Sequence, residues 1–217
     1  MTPEIESIDG NDPSPHILEK AARHILKGRV VICPTDTGYA FAANALEANT
    51  VLKVFNLKGR DYTNPMHIAV DSLEVAEKYA HLNKYAEYLA GIFLPGALTL
   101  VLPKREIIPA LLVAGLDTIG IRIPDNKVIL ELARLTDLPL TATSANFSGH
   151  PTPYAVPELI EQMGETINGV ALVLDQGPLP ARELSTIVDL TVNPPQLLRQ
   201  GKVSWLEIRQ LLQSMTD

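Results

Sequence analysis

The stretch RVVICPTDTGY, residues 29–39, changes chemistry half-way along. Arg29-Val30-Val31-Ile32-Cys33 is a β-branched run of the kind a buried strand uses, and Pro34, lacking an N–H, cuts it off. Thr35-Asp36-Thr37-Gly38-Tyr39 then reads as a polar loop at the strand's exit. Upstream, His16 to Leu26 carries apolar residues at helical spacing and stops at Gly28. A helix leading into a buried strand that opens onto polar residues suggests a layered α/β fold.

The remainder of the chain keeps that alternation. Asn49 to Leu57 reads as a helix ending at Lys58-Gly59-Arg60, Asn64-Pro65 breaks the chain, and Met66 to Val70 reads as a strand. A helix follows near Asp71, with Glu74 placed as in a capping box. Strands are expected at Leu98–Leu102, Thr118–Ile123, Val170–Leu174 and Ser185–Leu190, and helices at Lys127–Leu135, Glu158–Met163 and Trp205–Leu212. Leu138 to Thr143 leads into the hydroxyl-rich run Thr141–Pro153. These elements predict a single-domain α/β fold with a twisted mixed or parallel sheet flanked by helices. The expected organisation is an N-terminal segment at 1–14, the folded domain at 15–205 and a C-terminal helix at 206–217 packed on it.

Composition is that of an ordinary globular chain, 46% hydrophobic and 20% charged. At 217 residues it can bury about 70% of its unfolded surface without staples. Cys33 stands alone, which excludes an intramolecular disulfide and a cysteine-built zinc site. The start, MTPEIESIDGNDPSP, lacks the basic-then-apolar pattern of a signal peptide, and no apolar run is long enough for a membrane span, so the cytoplasm is the expected location. A net charge of −7 argues against a surface coated for nucleic acid, and any polyanion must bind at a concentrated site.

Polar clusters recur where strands end, at Pro34–Thr37, Arg122–Asp125 and Thr143–Asn146. Ligands of open α/β sheets sit at such ends, although polar turns follow strands in any α/β protein. Lys58 and Arg60 either converge on a phosphate chain or merely complement a helix C-terminus. Arg122, inside the apolar run Ile119–Ile123, needs an anionic partner, which an internal carboxylate or a ligand carboxylate would supply equally. No Walker loop, dinucleotide fingerprint, HExxH or GxSxG pattern is present, and none of the five histidines falls at metal-ligand spacing, so no protein-built metal site is expected.

The motifs Pro34–Tyr39, Lys58-Gly59-Arg60 with Asn64-Pro65, Leu94–Leu102, Thr118–Pro124, Ser144–Gly149 and Ser185–Asp189, taken in order, resemble the YrdC/YciO-like family of L-threonylcarbamoyladenylate synthases. The resemblance runs from about residue 15 to residue 205. It implies a concave ligand cavity and a nucleotidyltransferase that joins L-threonine, bicarbonate or CO2, and ATP into L-threonylcarbamoyl-AMP with release of pyrophosphate. The adenylate would feed a separate tRNA threonylcarbamoyl transferase, and Mg²⁺ would arrive with ATP. Carried over residue by residue, Lys58 and Arg60 are the catalytic cations, and Thr35, Arg122 and Ser185 contact threonine, with Arg122 on its carboxylate. Arg60, Asn64, Thr118, Ser144, Asn146, Thr152 and Arg199 match nucleotide-contacting positions. Two departures stand out. Gly38-Tyr39-Ala40-Phe41-Ala42 replaces the Val-Tyr-Gly-Leu-Gly of many members, and His67 comes earlier than the family's threonine-contacting histidine, so it is not carried over. The alternatives are an RNA-binding or ribosome-associated module on the same surface and a paralogue with weak or altered synthase activity.

Overall fold

A computed structural model describes residues 2–181 and 183–215. The elements in chain order are β1 (Glu4–Ser7), α1 (Pro15–Leu26), β2 (Val31–Thr35), β3 (Gly38–Ala42), α2 (Ala48–Lys58), β4 (Ile68–Ala69), α3 (Leu73–Ala76), α4 (Lys84–Phe93), β5 (Leu98–Pro103) and β6 (Thr118–Arg122). There follow α5 (Lys127–Thr136), β7 (Leu140–Thr141), β8 (Thr143–Ser144), α6 (Val156–Met163) with a 3-10 turn at Gly164–Gly169, β9 (Leu172–Asp175), β10 (Thr186–Asp189), β11 (Gln196–Arg199) and α7 (Trp205–Ser214).

The mixed α/β fold is present, and its strands fall into two mixed sheets rather than one. The first runs β1-β9-β2-β3-β8 and the second β11-β10-β5-β6-β4-β7. They meet where the chain passes from β7 to β8: Thr141 N donates to Ala43 O and Ala142 N to His67 O, both at 2.9 Å. One large apolar cluster takes Ile32, Tyr39 and Phe41 from the first sheet and Leu98, Leu100 and Ile121 from the second. A smaller one lies under α1 and α5.

Three local outcomes differ from the sequence reading. Pro34 does not stop β2, which continues to Thr35. Its register partner Tyr39 directs its backbone elsewhere, with Tyr39 O accepting from Ala145 N at 2.8 Å, so the missing proline N–H strands no acceptor. Thr35–Tyr39 is not a loop but a tight hairpin with Asp36 and Thr37 at its tip. Thr35 Oγ1 closes it by donating to Gly38 O at 2.6 Å and accepting from Thr37 N at 3.2 Å. Gly38 sits at φ 122°, and a Cβ there would lie 2.6 Å from Thr152 Cγ2, so only glycine fits. Finally, the N-terminal segment holds β1, an edge strand parallel to β9 whose Glu4 and Glu6 are tied to Lys20 at 2.6 and 2.7 Å.

Caps explain the helix ends that matter for the site. Gly59 in the left-handed region (φ 54°) terminates α2, and Arg60 N reaches back to Phe55 O at 3.0 Å. Lys58 is therefore the last helical residue and Arg60 already lies beyond the turn. The capping residue of α3 is Ser72, whose side chain accepts from Val75 N at 3.2 Å. The helix α7 sets Ile208 and Leu212 into the large cluster, while residues 216–217 lie outside the described residues. Among the described residues no helix is long and apolar enough to cross a membrane.

Candidate active site

The two sheets converge on a cavity of about 130 Å³. Thr35, Arg122 and Arg199, the last residues of β2, β6 and β11, all face it, as strand carboxyl ends do in open α/β sheets. Arg60 enters from beyond α2, His67 from just before β4, Ser144 from β8 and Ser185 from just before β10.

Alternation along β6 aims Arg122. Ile119 and Ile121 join the core, which turns Gly120 and Arg122 to the opposite face. The guanidinium donates from Nη2 to Asp36 Oδ1 at 2.6 Å and from Nη1 to Thr37 Oγ1 at 2.7 Å. Asp36 thus provides the internal carboxylate, but it does not satisfy the whole group: Arg122 Nε is buried without a partner. Burial pushes the pKa of Arg122 down, and Asp36 opposes the shift. A buried guanidinium that lines a cavity and has donors its internal partners do not use is suited to an incoming anion.

Two further guanidinium groups share the space. Arg60 donates from Nε to Asn64 O at 3.1 Å and from Nη2 to Pro65 O at 2.8 Å. Arg199 donates from Nε and Nη2 to Ser185 O, at 3.1 and 2.8 Å, and from Nη2 to Ser185 Oγ at 3.0 Å. Burial lowers both pKa values, and for Arg199 the neighbouring Arg122 and Arg60 add to it.

His67, left out of the sequence-derived set, lines the cavity as well. Burial first, then Arg199, Arg60 and Arg122, push its pKa down to about 3, so the imidazole is neutral at physiological pH. Parallel pairing of β4 with β6 lays the ring over Gly120, where a Cβ would stand 2.4 Å from His67 Cδ2. Asp36 and Thr37, which hold Arg122, were also outside that set although they belong to the quoted motif. The lone arginine's need for an anion was the signal that pointed to such a partner.

Other candidates are placed differently. Lys58 does not line the cavity. It is 2% exposed, and its ammonium donates to Ser144 O, Asn146 O and Asn146 Oδ1 at 2.5, 3.1 and 2.6 Å. All three N–H groups are thereby used, and burial, with Arg60 contributing, lowers its pKa to about 7. Asn146 is likewise turned inward: Oδ1 also accepts from Ser144 Oγ at 2.7 Å and Nδ2 donates to His150 O at 2.5 Å. Asn64 is exposed on the loop, and Thr152 packs over Gly38 outside the lining. Thr118 begins β6, at the opposite end of that strand from Arg122. Among the described residues no group of three or more His, Cys, Asp or Glu side chains is placed to hold a metal ion.

A family model described as "Telomere recombination", covering Sua5, YciO and YrdC, matches residues 23–201. The chain belongs to the Sua5/YciO/YrdC family. It is 39% identical over 193 residues to the threonylcarbamoyl-AMP synthase of Pyrococcus abyssi, covering 88% of this chain and 56% of that protein. It is 40% identical over 187 residues to a putative threonylcarbamoyl-AMP synthase of Methanocaldococcus jannaschii, covering 86% of each. The crystal structure of P. abyssi Sua5 complexed with L-threonine superposes with a TM-score of 0.89 at 37% identity, over 95% of this chain and 60% of that one. YciO from E. coli shares the fold at TM-score 0.84 and 23% identity, over 93% of this chain and 97% of that one. The chain thus spans somewhat more than half of the P. abyssi protein and most of the M. jannaschii one.

Proposed function

We propose that this family member joins L-threonine, bicarbonate or CO2, and ATP into L-threonylcarbamoyl-AMP, releasing pyrophosphate. One observation carries the reading: Arg60, Arg122 and Arg199 converge with a neutral His67 on a single small cavity. Three cations call for more than one anion, and the neutral imidazole is an acceptor for the ammonium of an amino acid. The names of the relatives support threonine as that amino acid.

In this reading Arg122 takes the threonine carboxylate through N–H groups that Asp36 and Thr37 do not use, while those two residues hold the guanidinium plane in place. His67 accepts a hydrogen bond from the ammonium, and its basicity recovers as anions offset the surrounding arginines. The ammonium gives one proton to His67, the amine nitrogen adds to CO2 and sheds its second proton to water to give a carbamate, and a carbamate oxygen attacks the α-phosphorus as the bond to the departing pyrophosphate breaks. Arg60 and Arg199 neutralise the charge that accumulates between carbamate and triphosphate, so the protein works by positioning and electrostatics. Ser144 serves the nucleotide from the rim, with Asn64, Thr118 and Thr152 left for its outlying parts. Lys58 and Asn146 act by holding that rim together. Mg²⁺ would come with ATP and neutralise its phosphate oxygens rather than be held by protein carboxylates, since Asp36 is committed to Arg122 and the cavity's lining among the described residues includes no Asp or Glu. The adenylate would pass to a tRNA threonylcarbamoyl transferase in the cytoplasm.

Pyrophosphate release with ATP, threonine and bicarbonate, each omitted in turn, tests the reading. Release should require all three, and turnover indifferent to threonine overturns it.

A further inference from the structure

The central strand β5, Leu98-Thr99-Leu100-Val101-Leu102-Pro103, contains a hydroxyl that its strand pairing does not require. Thr99 is 0% exposed, and its backbone is paired in register with Ile187 of β10. Among the described residues its side chain has one hydrogen-bond partner, Ser185 Oγ, at 2.8 Å. A buried hydroxyl in apolar surroundings is tolerated only when it is bonded, so the direction of that bond is constrained.

A hydroxyl has one proton and two lone pairs. If Ser185 donated to Thr99, the proton of Thr99 would be left without an acceptor in the interior. Thr99 is therefore the donor. Ser185 Oγ also accepts from Arg199 Nη2 at 3.0 Å, which fills its second lone pair. Its own proton is uncommitted, and Ser185 lines the cavity. The backbone of Ser185 is held in the same place, since its carbonyl accepts twice from Arg199.

We propose that Thr99 is a positioning residue that makes the Ser185 hydroxyl an obligate donor to an oxyanion in the cavity. With both lone pairs filled, Ser185 has nothing to offer an ammonium or an amide N–H, so it reads the sign of the group it meets. The oxyanion belongs either to the amino acid's carboxylate or to a phosphate of the nucleotide. The proposal rests on the synthase reading for those two candidates alone.

The test is calorimetric titration of L-threonine and, separately, ATP into the wild-type protein, Thr99→Val and Thr99→Ser. Valine keeps the shape and removes the proton, while serine restores it. Thr99→Val should weaken one of the two ligands about tenfold, and Thr99→Ser should recover it. Loss confined to threonine assigns the carboxylate, and loss confined to ATP assigns a phosphate. Unchanged affinities, equal losses for both ligands, no recovery with serine, or a wild-type protein that binds neither ligand overturns the proposal. If Thr99→Val does not fold, Ser185→Ala is compared with Ser185→Ala/Thr99→Val, which leaves no orphan hydroxyl. The two should bind alike, and a further tenfold loss in the double variant overturns the inference. The synthase reading fails separately, when ligands bind but no pyrophosphate is released.

Discussion

Lys58 and Arg122 are both buried cations, 2% and 7% exposed, yet their surroundings give them opposite meanings. Every N–H of Lys58 ends on an oxygen of the Ser144–Asn146 segment, so the ammonium fastens the end of α2 to the cavity's rim. Arg122 is held by Asp36 and Thr37, lines the cavity, and still has Nε without a partner. Burial of a charge is therefore a poor guide to function on its own. Counting which donors are already spent separates a cation with none in reserve from one that still has a donor to give.

The comparison fails first, and most visibly, at Lys58. Lys58→Met removes three donors, leaving Asn146 O without its partner and Ser144 O and Asn146 Oδ1 with one donor fewer each, which should lower unfolding free energy by about 3 kcal/mol in urea denaturation. A loss below 1 kcal/mol with threonine affinity abolished would make it a ligand contact instead. Arg122→Lys sharpens the other side. Lysine keeps the charge but not the planar fork, so threonine affinity should fall by about 2 kcal/mol, or thirtyfold, with ATP affinity nearly unchanged by calorimetry. Equal losses for both ligands contradict the assigned role.

Gly120→Ala tests the seat of His67. The added methyl must displace the ring or the strand, and a destabilisation of about 1.5 kcal/mol accompanied by weaker threonine binding is expected in melting and titration experiments. The smallest effect is on pH dependence. Since the folded pKa of His67 is held near 3 and an unfolded histidine titrates near 6.5, the unfolded chain binds more protons between those values. Stability contributed by the neutral ring is complete above about pH 6.5 and declines as pH falls through that window. Between pH 7 and pH 6 the ligand-free wild type should lose about 0.7 kcal/mol more than His67→Gln in urea midpoint measurements. An identical pH slope for both would show that His67 is not held neutral by its surroundings.

Much of this contrast was legible in the chain, but unevenly. The run from Val30 to Cys33 announced a buried strand because both its faces meet apolar neighbours, and Arg122 announced an anion because apolar residues flank it. The reach of Lys58 was not legible: periodicity places a backbone on a face, while a four-carbon stem decides separately where its ammonium goes. The strand β1 escaped because Glu4 and Glu6 put charges into a short, mostly exposed strand at a sheet edge. β4, β7 and β8 have two residues each, too few to display a period. His67 depended on register between β4 and β6, a long-range property that spacing along the chain does not encode.

The cavity walls are drawn from residues as far apart in sequence as Thr35 and Arg199, and from both sheets. The site therefore comes into being only when long-range pairings are made, because Arg60, Arg122 and Arg199 sit on segments far apart in the chain. Affinity for threonine should accordingly serve as an assay of completed assembly, vanishing for any partly folded species that has formed one sheet without the other.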